Sequence, residues 1–128
     1  MSQTITEKDI LDLAAKIAVQ ARLDKVERSQ IENLLASVEI SSDPKNSPWV
    51  VALYAYRQAG RNKIRRETAN LINEAMSNLC EAGCGREEAR KILGFVKWIY
   101  ESLEGRKIPQ VDIKKLKFQD VLKMLKSG

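Results

Sequence analysis

The sequence predicts an all-α protein, and three observations carry that prediction. Apolar residues recur at helical spacing in one segment after another, as in Ile31, Leu34, Leu35 and Val38. Only three prolines and six glycines interrupt 128 residues. Runs of β-branched residues, the mark of strands, are scarce. The expected architecture is a compact bundle of about five helices over residues 1–105. A basic C-terminal extension, residues 106–128, follows and carries a short amphipathic helix. At this length one hydrophobic core suffices without metals or disulfides.

The elements follow in order. The first helix opens at Thr4 or Thr6, because Thr4 with Glu7 and Thr6 with Asp9 both have capping spacing. Ile10, Leu13, Ala14, Ile17, Ala18 and Ala21 form its apolar face, and the alanines allow a neighbour to pack closely. A second helix starts at Asp24 or at Ser29, where Ser29 and Glu32 have capping-box spacing. Residues 41–48, SSDPKNSP, read as a loop that ends in a capping Ser47 followed by Pro48. The third helix, Trp49 to about Ala59, is apolar or aromatic on every side through Tyr56, which means burial all round or partial burial in an oligomer, and it is expected to be the central helix. That placement makes Tyr54 and Tyr56 core anchors in preference to base-stacking platforms. Gly60 is expected to bend or end the helix. A fourth helix covers roughly Lys63 to Ala82, with Ile64, Leu71, Ile72, Ala75 and Leu79 inward. Gly83-Cys84-Gly85 is a tight connection, and a fifth helix spans about Arg86 to Glu104. On that helix Trp98 and Lys91 fall on the side away from the apolar stripe. An outward tryptophan suggests a contact surface between subunits. After Gly105, Phe118, Val121, Leu122 and Leu125 make a short amphipathic helix that either folds onto the bundle or docks on a partner.

Charge is distributed unevenly. Residues 1–105 balance at 15 basic and 15 acidic side chains, while residues 106–128 carry seven Lys/Arg against Asp112 and Asp120, so the net +5 resides in the extension. A basic tail of this kind points to nucleic acid, to an acidic protein surface or to anionic lipid. Within the bundle, Arg57, Arg61, Lys63, Arg65 and Arg66 form a second concentration of positive charge with no acid interspersed. They cannot all enter a core, because uncompensated buried charge is too costly. Phosphate contact is one use for them and local pairing, for instance with Glu67, is the other. The outer face of the fourth helix continues through Asn70 as neutral-polar surface. Candidate RNA-contacting residues are therefore Arg57, Arg61, Lys63, Arg65, Arg66 and Asn70, with Lys114, Lys115 and Lys117 in support and Arg61 foremost.

Catalytic patterns are missing. The chain has no histidine, the commonest general base and metal ligand. Cys80 and Cys84 lack the further ligands a zinc site needs. No phosphate-cradling glycine motif occurs. Glu87 and Glu88 suit a helix start for structural reasons alone. The expectation is a non-enzyme without metal or cofactor. No apolar run reaches the roughly 18–20 residues of a membrane span, and the first ten residues lack signal-peptide features, so a cytoplasmic location is expected.

Ser29-Gln30-Ile31 opening a leucine-bearing helix, then Leu53-Tyr-x-Tyr-Arg-Gln-Ala-Gly-Arg, then Phe95-Val96-x-x-Ile99 late in the chain, form a pattern over about Ser29 to Leu103. It resembles the small helical subunit of type III-A CRISPR effector complexes. In that family a helix beginning S-Q-[IL]-R leads to an aromatic–x–x–A-G-R segment, and the last helix carries F-V-x-x-I. This chain departs at Glu32, where the pattern has arginine, and at Trp98, Tyr100 and Glu101, where it has an aromatic–basic ending. The extension after Gly105 lies outside the pattern. The resemblance implies a non-catalytic protein that contacts guide RNA and target RNA. It also implies contacts with the large and backbone subunits of the complex and with further copies of itself. Two other readings stand beside it. One is a helical DNA-binding regulator using the fourth and fifth helices, and the other is a protein–protein adaptor docking through its C-terminal helix.

Overall fold

In the computed structural model, which describes residues 4–127, the chain is all-helical. Among the described residues there are six α-helices and two single 3-10 turns. Helix α1 spans Glu7–Leu23, α2 Arg28–Ser37, α3 Ser47–Gly60, α4 Arg66–Glu81, α5 Arg86–Ser102 and α6 Phe118–Lys126. No helix among these residues is long and apolar enough to cross a membrane.

The central helix is α1, not α3. On α1, Ile10, Ile17 and Ala21 are buried on one side, and Ala15 and Val19 are buried almost opposite them. The first side packs against the bundle. The 3-10 turn Ile113–Lys115 and α6 pack on α1 as well, with Leu116 and Val121 in the common core. Small alanines permit this close approach from several directions. Helix α3 lies outside: Trp49 is 53% exposed and Leu53 71%, while only its Val51, Ala52, Ala55 and Gln58 side reaches the interior. An apolar stretch can be apolar all round without being covered all round.

Helix starts show where local signals governed. Thr6 caps α1 with a full capping box: its hydroxyl accepts the Asp9 amide at 3.1 Å and Asp9 accepts the Thr6 amide at 3.0 Å. Helix α2 instead begins at Arg28 after an uncapped Glu27. Neither Asp24 nor Ser29 starts it, because Asp24 closes α1 and accepts bonds from Gln20 and Thr68. Ser47 is not a cap either. It is buried inside the first turn of α3 and donates to the Val38 carbonyl at 2.7 Å.

The loop of residues 41–46 contains the second 3-10 turn, Pro44–Asn46, and it is clamped from α5. The Arg86 guanidinium donates to the Val38 carbonyl at 3.0 Å and to the Ser41 carbonyl. Gly85 lets the turn approach, since a Cβ there would sit 2.8 Å from the Pro44 carbonyl oxygen. Helix α5 stops at Ser102, two residues before the expected end, and Gly105 takes the left-handed conformation that follows. At the far end of α1, the Arg22 guanidinium lies 3.6 Å over the Tyr100 ring and donates to the Tyr100 carbonyl, locking α1 to α5.

The C-terminal segment is attached by polar as well as apolar contacts. Asp12, 8% exposed on α1, accepts the Phe118 amide at 2.8 Å and lies 3.9 Å from the Lys117 ammonium. Residues 106–127 therefore form a strap folded onto α1.

Candidate nucleic-acid interface

Helix α3 and helix α4 are joined by residues 61–65, and this connection organises the basic residues differently from the sequence expectation. Gly60 is the last helical residue, with ordinary backbone angles. The reversal is made at Asn62, φ 61°, where asparagine tolerates the left-handed region better than most residues. Ile64 then turns into the core and is 6% exposed. Arg65 is extended and precedes the first helical residue of α4 without a side-chain cap. Lys63 and Ile64 thus belong to the connection, and α4 begins at Arg66, not Lys63. A buried residue inside the loop fixes its path, so the cations flanking it leave on a defined course.

All five cations, Arg57, Arg61, Lys63, Arg65 and Arg66, are exposed. Among the described residues none of them forms an ion pair, with Glu67 or any other acid. Two are aimed by a side chain that the sequence reading passed over. Gln58 is 2% exposed, and its carbonyl oxygen accepts from the Arg57 guanidinium at 2.9 Å and the Arg61 guanidinium at 3.4 Å. Its amide donates to the Gln30 carbonyl oxygen at 2.7 Å, so the hub is tied to α2. A neutral acceptor orients the arginines without cancelling their charge. The signal was present in the sequence, since Gln58 sits at the a helical spacing from Ala55 and Val51 that faces inward.

A polar cavity of about 660 Å³ opens beside this connection, lined among others by Gln30, Asn62, Lys63, Arg65 and Arg66. The first turn of α4, with its free amides and the positive end of the helix dipole, borders it. Asp24 also borders it, but both carboxylate oxygens are occupied, accepting from Gln20 at 2.9 Å and from Thr68 at 2.7 Å. Glu27 and Glu67 are the remaining acids at its edge.

Of the other candidates, Asn70 is exposed and accepts the Tyr56 hydroxyl at 2.7 Å. Tyr54 and Tyr56 are half-buried and packed against the core, so they anchor at its edge without being enclosed by it. Lys114 and Lys115 are exposed on the strap, and Lys117 starts α6 beside Asp12. None of these three strap lysines lines the cavity at the α3–α4 connection.

Trp98 is 68% exposed at the edge of an apolar groove of about 330 Å³ that also involves Phe95, Phe118 and Leu122. Lys91, one of the two residues expected to meet another subunit, pairs with Glu7 of its own chain. The two cysteines are free and half-buried. Burial pushes both thiols above their ordinary range, with Glu88 adding to the effect at Cys84, which keeps them protonated at neutral pH. No group of three or more potential metal-ligating side chains of the His, Cys, Asp and Glu type occurs among the described residues.

Compared with protein-family models, with curated proteins and with solved structures, the chain matches none.

Proposed function

We propose that the protein binds the phosphate backbone of RNA through the α3–α4 connection, as a non-catalytic structural component of a ribonucleoprotein. The observation that carries this reading is five exposed cations that form no ion pair among the described residues, two of them aimed by the buried Gln58–Gln30 pair. Arginine forks match phosphate geometry, and a sequence-independent duplex backbone asks for nothing more specific. The resemblance to the small subunit of type III-A CRISPR effectors makes guide RNA paired with target RNA the particular ligand. It also makes the large and backbone subunits, and further copies of this chain, the neighbours, with antiviral defence as the setting. Trp98 and its groove are then available for subunit contact.

The start of α5 argues against the DNA-binding alternative. Arg86 is engaged with the 38–41 loop and Glu88 accepts the Gly85 amide at 3.0 Å, so the first turn offers no free arginine for a base edge. The test is a filter-binding titration of RNA and DNA duplexes at several salt concentrations, using the wild type and Arg61→Glu/Arg66→Glu. RNA preference that the double variant abolishes supports the reading, and unchanged RNA affinity at low salt overturns it. Co-purification from the native source, with sequencing of bound RNA, tests the CRISPR setting separately.

A further inference from the structure

The strap carries a second cationic feature of a different kind. Between the strap and the side of α6 facing away from Trp98 lies an open cleft of about 610 Å³. Its floor is apolar, made by Pro109, Val111, Leu116 and Met124, and Lys107, Lys115 and Lys123 stand around it. These three lysines are exposed and form no ion pair among the described residues. Asp112 and Asp120 also line the cleft, and one oxygen of each is held by a backbone amide, that of Lys114 at 3.0 Å and that of Lys117 at 2.9 Å, so the cleft carries three lysines against two fixed carboxylates. The walls are anchored, since Leu116 is 3% exposed and Val121 is fully buried. The lysines therefore stand around a preformed depression and do not hang on a loose tail.

We propose that this cleft is a docking site for an acidic protein segment bearing an apolar anchor, a leucine or methionine flanked by aspartates or glutamates. The floor selects the occupant. Single-stranded nucleic acid holds its bases on aromatic platforms, and no aromatic residue lines this cleft. An aliphatic floor instead desolvates an aliphatic side chain, while cations at the rim meet carboxylates and raise the rate of encounter. The occupant is thus identified by charge complementarity together with the apolar floor. The inference does not rest on RNA binding at the α3–α4 connection.

The experiment uses the full chain, labelled with ¹⁵N, and a short synthetic peptide in which leucines are set among glutamates. Amide shifts on titration should concentrate at Lys107, Val111, Lys115, Lys123 and Met124. Lys107→Glu/Lys115→Glu/Lys123→Glu should weaken binding by at least about tenfold, as loss of the complementary charges predicts. Met124→Ser keeps every charge and should weaken it several-fold. Arg61→Glu/Arg66→Glu should leave it unchanged, which separates this site from the RNA site. Circular dichroism verifies that the variants are folded. Polyglutamate binding as tightly as the leucine-bearing peptide would reduce the cleft to simple ion exchange and overturn the proposal. So would polyuridylate producing the same shifts and displacing the peptide, or the absence of any shift at millimolar peptide.

Discussion

The α3–α4 connection and the C-terminal cleft are both positively charged, but they are built from different materials. The first is rich in arginine, borders a polar cavity and is aimed by a buried amide pair. The second is rich in lysine, has an aliphatic floor and is held in place by burial of Leu116 and Val121. Positive charge attracts every anion alike, so charge alone does not choose between an RNA backbone and an acidic protein. What lies beneath the charge does. Oriented arginine forks beside a polar cavity suit phosphate oxygens, and an apolar floor suits a side chain that gains by leaving water.

That contrast can be broken at several points. The largest effect is expected for Leu116→Ala, which removes a core contact of the strap and should cost about 2–5 kcal/mol in urea unfolding. If stability is unchanged, the strap is not a fixed wall and the cleft is not preformed. Next, Arg61→Glu/Arg66→Glu should lower RNA affinity roughly tenfold to a hundredfold near 0.1 M salt, and should flatten its salt dependence by the share of two phosphate contacts. An unaltered salt slope would show that these arginines touch no phosphate.

Gln58→Leu keeps all five cations but leaves the buried Gln30 amide without its partner. It should lower stability by about 1–3 kcal/mol and weaken RNA binding several-fold. Undiminished affinity in this variant would mean that aiming the arginines is irrelevant. Reversing Lys114 and Lys115 should change RNA affinity by less than about threefold, because neither lysine lines the cavity at the connection and exposed charges out of contact are screened by salt. A larger loss would join the two regions into one surface.

The smallest effect concerns neither region and serves as a control. The bonds from the Thr6 backbone amide, and then those of its side chain, hold the Asp9 carboxyl below its ordinary 3.8. A pKa lowered in the folded state stabilises above the unfolded value, and that contribution is lost as pH falls through the folded one. Melting temperature should therefore drop more steeply in the acid range below about pH 4 for the wild type than for Asp9→Asn. Neither RNA nor peptide binding at neutral pH should change.

The helical class and most helix positions were legible because they depend on spacing within one segment. The capping box at Thr6, the inward face of α5 and the position of α6 are all local patterns. What was not legible involved partners distant in sequence. Helix α3 was expected at the centre because its residues are apolar, yet centrality belongs to α1, on which the strap packs through a contact 106 residues away in sequence. Ser47 looked like a cap, but a carbonyl nine residues earlier claims its hydroxyl. Gly60 looked like the bend, while the buried Ile64 put the reversal at Asn62. Gln58 drew no notice, since a lone glutamine has no local signature until Gln30 meets it across the bundle.

The sequence by itself determined that the chain is helical, where the cations are concentrated, and that most of them must face water, because buried unpaired charge is prohibitively costly. The tertiary structure decided which cations stand together, what lies beneath them and which are aimed. It also divided the basic residues between two separate cavities. The physical reason is that helix formation rests on neighbours a turn away, whereas the surroundings of a charge are set by whatever the folded chain brings against it.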